Sequence, residues 1–94
     1  MIRHIVFFTL KDPALAEDAV RHLERLGTIP GSTLFQVRRN AKADQIGNDI
    51  DLVVYGEFPD IETLHAYKRH PTYTDVTNTV RPMRELRFAA DVEV

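Results

Sequence analysis

The first ten residues, MIRHIVFFTL, carry apolar side chains on both alternating sets. Ile2, Val6, Phe8 and Leu10 share one face with His4, and Ile5 and Phe7 occupy the other. A period of two predicts a strand, and apolar residues on both faces predict that both are covered. The period then changes. In KDPALAEDAVRHLERLG, Asp12 is placed to cap a helix and Pro13 suits its first position. Leu15, Ala19, Leu23 and Leu26 form a stripe at helical spacing, and Gly27 ends it. Turn residues in TIPGST lead to LFQVRRN, a strand with Phe35 and Val37 on one face. Residues 41–49 are polar, with Gly47-Asn48 in a hairpin loop. IDLVVYGEF is a second two-faced strand, with Leu52, Val54 and Phe58 opposite Val53 and Tyr55.

Pro59-Asp60 opens another helix, with Asp60 as its cap and Leu64, Tyr67 and His70 recurring at helical spacing. Pro71 has no N–H to donate and disfavours helical geometry at the residue before it, so a break is predicted at His70-Pro71. A further helical stretch, with Tyr73, Val76 and Val80 on one side, runs to about Arg81-Pro82. Last, ELRFAADVEV alternates Leu86, Phe88, Ala90, Val92 and Val94 with Arg87, Asp91 and Glu93, the pattern of a half-buried strand.

The order β-α-β-β-α-β in a single domain over residues 1–94 is the ferredoxin-like arrangement, an α+β fold. It has a four-stranded antiparallel sheet with two helices on one face. The opposite face would then expose Ile5, Phe7, Val53, Tyr55 and either Phe35 or Val37 as one apolar patch. A homodimer with the two sheets facing each other covers it, and supplies burial that a domain this small otherwise lacks.

Composition narrows the function. A chain with 44% hydrophobic and 28% charged residues is expected to fold throughout. The net charge of −2 argues against a nucleic-acid partner, because such binding draws its affinity from massed Lys and Arg. Arg38-Arg39 and Lys68-Arg69 read as solvated faces. With no cysteine there is no disulfide and no thiolate nucleophile or metal ligand, and the cytoplasm is the default location. IVFFTL is far shorter than the ~20 residues of a membrane span and lacks a cleavage site. No nucleophile elbow, phosphate-cradling glycine loop or dinucleotide fingerprint is present, which sets aside the commonest motif-defined enzymes.

Four residues are candidates for a ligand site: His4, Tyr67, His70 and Tyr73. His4 points into an apolar interior. It is either a core histidine bonded to a tyrosine hydroxyl or backbone carbonyl, or a proton acceptor that lines a pocket with Tyr67, the tyrosine orienting a carbonyl or phenol. Tyr67 and His70, three apart, share a helix face. His70 also sits where it could bond a free carbonyl at the helix end, and capping or packing is favoured over catalysis there. Tyr73, beyond the break, covers the mouth of any cavity. His65 and His70 are five apart, about 140° around a helix, so one ion cannot take both, and no metal site is expected. His22 lies off the apolar stripe and reads as solvated.

MIRHIVFF at the start, DLVVYGEFPDIETLHAYKRHP in the middle and the final alternating strand together resemble the Dabb family of stress-responsive A/B barrel domains, over essentially the whole chain. The specific elements are His4 in the first strand and the Tyr67, His70 and Pro71 of the second helix. The resemblance implies a dimeric α+β barrel. The family includes stress proteins without an agreed chemistry and a plant polyketide cyclase that works without a cofactor, in a pocket between sheet and helices. In that cyclase's motif, a tyrosine is followed after two residues by His-Pro-x-His, the last histidine being the general base. Here Tyr67 is retained and Tyr73 stands at the base position, where a phenol with a pKa of about 10 is a poor base at neutral pH. Three functions are left open. One is a homodimer that binds a small hydrophobic or aromatic metabolite. A second is a cofactor-independent cyclase, isomerase or monooxygenase using His4 and Tyr67, and the third is a purely structural self-associating module.

Overall fold

The two-faced strands form the middle of the sheet. In a computed structural model that describes residues 1–94, β1 (Ile2–Leu10) pairs with β3 (Leu52–Phe58). Outside them, β4 (Arg84–Glu93) flanks β1 and β2 (Leu34–Arg39) flanks β3, giving the order β2-β3-β1-β4, antiparallel throughout. This is the ferredoxin-like topology.

Each helix begins where the sequence supplies a cap. The Asp12 carboxylate accepts the Ala14 N–H at 2.9 Å and starts a 3-10 turn, Pro13–Leu15, which continues into α1 (Ala16–Glu24). A second 3-10 turn, Arg25–Thr28, ends that segment and contains Gly27. Asp60 accepts both the Thr63 N–H, at 2.8 Å, and the Thr63 hydroxyl, at 2.7 Å, at the start of α2 (Ile61–Arg69). The chain then leaves helical geometry at His70, φ −66° and ψ 141°, and re-enters it as α3 (Pro71–Val80). Two helical segments thus stand where an unbroken pattern would have given one, as Pro71 requires. No helix is long and apolar enough to cross a membrane.

The His70 side chain does not bond a carbonyl at the end of α2. Its Nδ1 accepts the Thr72 N–H at 3.1 Å, so the imidazole caps the start of α3 instead. The geometry explains the difference: an extended residue directly before a helix is the position from which a side-chain acceptor reaches the free N–H groups of the first turn.

All three helices lie on one face of the sheet, over a core that includes Ile2, Val6, Phe8, Leu23, Leu64 and Val76. Gly56 belongs to this face. A Cβ there would stand 3.0 Å from the Phe58 ring and 3.4 Å from Phe35, so its absence lets the aromatic rings close over the strand. On the other face Ile5, Phe7, Val53 and Tyr55 are half-buried. Phe35 and Val37 do not join them. Val37 is buried with Val54, and the Phe35 ring lies 6.3 Å from that of Tyr67, on the helix side. The outer patch is completed by β4, whose Leu86, Phe88 and Val92 are each about half exposed. The polar alternates of β4 therefore point inward, towards the helices.

Candidate functional site

The pairing of β1 with β4 sets His4 directly opposite Asp91. Their side chains meet on the helix face, Nδ1 of His4 lying 2.5 Å from a carboxylate oxygen of Asp91, while Lys68 of α2 stands 3.9 Å from the other oxygen. His4 is 1% exposed, and its ring otherwise meets the edges of Phe58 and Tyr67. Burial lowers its pKa, and the hydrogen bond and charge of Asp91 oppose that shift only in part. The imidazole is therefore neutral near pH 7. Its Nδ1–H donates to Asp91, which leaves the lone pair on Nε2.

Tyr67 is enclosed as completely, between Phe58 with ring centroids 4.9 Å apart and Tyr73 at 5.3 Å. Its hydroxyl has no hydrogen-bond partner. Burial, and secondarily the neighbouring Tyr73, pushes its pKa well above the ordinary tyrosine value, so the group stays protonated and acts as a donor. A buried hydroxyl left unpaired costs about 1–3 kcal/mol, and native interiors seldom keep one.

Two chambers open beside these groups and share Phe8, Leu23, Tyr73, Thr77 and Arg87 as walls. The inner one, about 20 Å³, is bounded by His4 and Tyr67 and has room for about one oxygen-sized group. The outer one, about 320 Å³, adds Lys68, Val80, Arg81 and Arg84 and falls at the lower end of small-molecule sites. The helix break shapes both. Six residues apart on an unbroken helix, Tyr67 and Tyr73 would point about 120° away from each other. Re-entry at Pro71 turns Tyr73 back onto Tyr67.

Three of the four candidate residues, His4, Tyr67 and Tyr73, thus meet at one place. His70 lines neither chamber, because its ring is turned to the start of α3. His22 is half-buried with Nδ1 enclosed and unpartnered, not solvated. The groups that sequence reasoning passed over are Asp91, Lys68, Arg81, Arg84 and Arg87. The signal that could have found Asp91 was the register, since pairing His4 with β4 brings an acid opposite it.

A lowered native pKa for His4 has a definite consequence for stability. The unfolded chain takes up a proton at about 6.5 and the native protein only below that, so between these values the unfolded state binds more protons. Stability is expected to be full above pH 6.5 and to fall as acid is added, until the native value is reached. Denaturant midpoints measured at successive pH values check this, and His4→Gln should flatten the slope in that window.

The family model for the stress-responsive A/B barrel domain matches residues 2–94. A Dabb family protein with a ferredoxin-like fold from Mesorhizobium loti superposes with a TM-score of 0.83 at 26% identity, over 99% of this chain and 95% of that one. A dimeric ferredoxin-like protein of unknown function from Thermobifida fusca gives 0.84 at 23% identity, over 99% and 90%. An antibiotic biosynthesis monooxygenase shares the fold at a TM-score of 0.76 and 13% identity, over 100% and 98%. No curated protein matches the sequence significantly. With His4, Tyr67 and Pro71 at the positions that carry the resemblance and the match running from strand to strand, the chain belongs to the stress-responsive A/B barrel (Dabb) domain family.

Proposed function

We propose that this protein is a homodimer that binds a small hydrophobic or aromatic metabolite between its sheet and helices, through His4, Tyr67 and Tyr73. The unpartnered hydroxyl of Tyr67 carries this reading. Tyr67 lines an inner chamber with room for about one oxygen atom, so a ligand carbonyl or phenol that reaches the hydroxyl from there accepts its hydrogen bond. The ligand body fills the outer chamber against Phe8, Leu23, Tyr73 and Val80. The half-exposed apolar face of the sheet supports the homodimer, and the Thermobifida fusca relative is described as dimeric.

Tyr67→Phe tests the reading with two opposite effects. Removing an unpaired buried hydroxyl should stabilise the unliganded protein by about 1 kcal/mol, which raises the melting temperature by about 4–8 °C in a domain of this size. The same change should weaken binding of a carbonyl-bearing aromatic ligand by about 1–2 kcal/mol. Calorimetry with and without such a ligand measures both. A destabilised variant, or one that binds as the parent does, would count against the assignment.

A second reading is favoured by a separate observation, the pairing of His4 with Asp91. A neutral imidazole held by a carboxylate at Nδ1 is a general base at Nε2, and Tyr67 is placed to stabilise the enolate or phenolate that proton abstraction leaves. This chemistry needs no cofactor. Turnover of a ligand found by binding separates the two readings.

A further inference from the structure

The outer chamber is basic in a chain whose net charge is −2. Lys68 comes from α2, Arg81 from just beyond α3, and Arg84 and Arg87 from β4, so three separate segments bring cations to one cavity. No acidic side chain lines it. Two arginines elsewhere on the surface are paired with acids, Arg21 with Asp18 and Arg25 with Asp75, each at 2.6 Å. Arg81, Arg84 and Arg87 have no carboxylate within 4.0 Å. Asp91, on the same face of β4 as Arg87, is taken by His4 and by Lys68.

Gathering like charges without a counter-ion works against folding, and partial burial of Arg84 and Arg87 adds to that cost. Arg84 registers it, since burial and then the charges of Arg87 and Arg81 lower its pKa. An anion in the chamber removes the penalty. Guanidinium groups suit it, because their planar fork matches a carboxylate or a phosphate. The same cavity offers Phe8, Leu23, Tyr73 and Val80 to an apolar body.

We infer that the ligand is an anion, its carboxylate or phosphate held at Arg84 and Arg87 with Lys68 and Arg81 around it, and its apolar body lying towards Tyr73 and the inner chamber. The inference rests on the paired chambers being the ligand site and names the class of compound that enters them. It also orients the compound: the charged end stays at the mouth, and an uncharged oxygen is the group that can reach Tyr67 and His4.

The test uses phenylacetate, benzyl phosphate and the neutral benzyl alcohol as probes, titrated into the full chain while the resonances of Tyr73 and Thr77 are followed. At least one anion should bind about ten-fold or more tightly than the alcohol, the usual scale of charge-assisted hydrogen bonds. That preference should vanish in the Arg84→Gln/Arg87→Gln double variant, checked for unchanged secondary structure by circular dichroism. Which anion binds better identifies the head group. Equal affinity for the alcohol, or a preference that survives the double variant, overturns the anionic assignment and leaves the pocket itself standing. If no probe moves Tyr73 or Thr77 at millimolar concentration, or if the anions shift only residues remote from both, the ligand site and its anionic preference fall together.

Discussion

Replacing Phe7 by aspartate is expected to turn a dimer into a monomer. Phe7 stands opposite Val53 on one side and Phe88 on the other, at the middle of the apolar outer face. Two sheets packed face to face around a two-fold axis bring two copies of every residue into one interface, so a single substitution buries two charges. An unpaired buried charge costs about 3 kcal/mol or more, hence about 6 kcal/mol for the pair, or about four orders of magnitude in the dimer dissociation constant. Sedimentation equilibrium at micromolar concentration should give twice the chain mass for the parent and the chain mass for Phe7→Asp. A parent that sediments as a monomer would remove the dimer, and with it the expected interface of roughly 1,200 Å² or more.

Asp91→Asn is expected to reverse the tautomer of His4. The carboxylate only accepts, so it keeps the proton on Nδ1. The introduced amide can donate to Nδ1 instead, which moves the proton to Nε2 and removes the lone pair that faces away from β4. Nitrogen chemical shifts of the imidazole report the exchange directly. In any proton transfer that the protein catalyses, turnover should fall by about 10²–10⁴-fold with the dimer and ligand affinity nearly unchanged. If the tautomer is reversed and a measured turnover stays at the parental level, His4 is not the base. If both tautomer and turnover are unaltered, Asp91 does not control the ring.

The sequence made the frame legible because local rules govern it. Period-two runs gave β1 and β3, Asp12 and Asp60 gave helix starts, and Pro71 gave the break, each from residues within a few positions of the feature. His4 and Tyr67 could be brought together because both fall on faces turned to the interior. What local pattern could not supply was the direction of β4. Alternation distinguishes two faces without saying which is wet, and the usual assignment sends Arg87 and Asp91 to solvent. Here the helix layer leaves a cavity against that edge strand while the opposite face is apolar, so the polar set points in. Phe35 and Val37 were misassigned for the same reason, the face of an edge strand being fixed by its neighbours rather than by its own residues. The cations of the outer chamber were hidden further, since Lys68, Arg81 and Arg84 lie on different elements and meet only through the fold.

The break at His70 also bears on how such a site can change over generations. The wall built by Tyr67 belongs to one helix and the wall built by Tyr73 to another, each with its own cap and its own first turn. On a single rod, a substitution that shifted one ring would rotate or slide the other. Two short rods joined at an extended residue separate those effects, so the chamber wall offered by α3 is free to vary while the tyrosine beside His4 stays in place. A lineage can thereby reshape one side of the chamber without moving the tyrosine that stands beside His4 on the other.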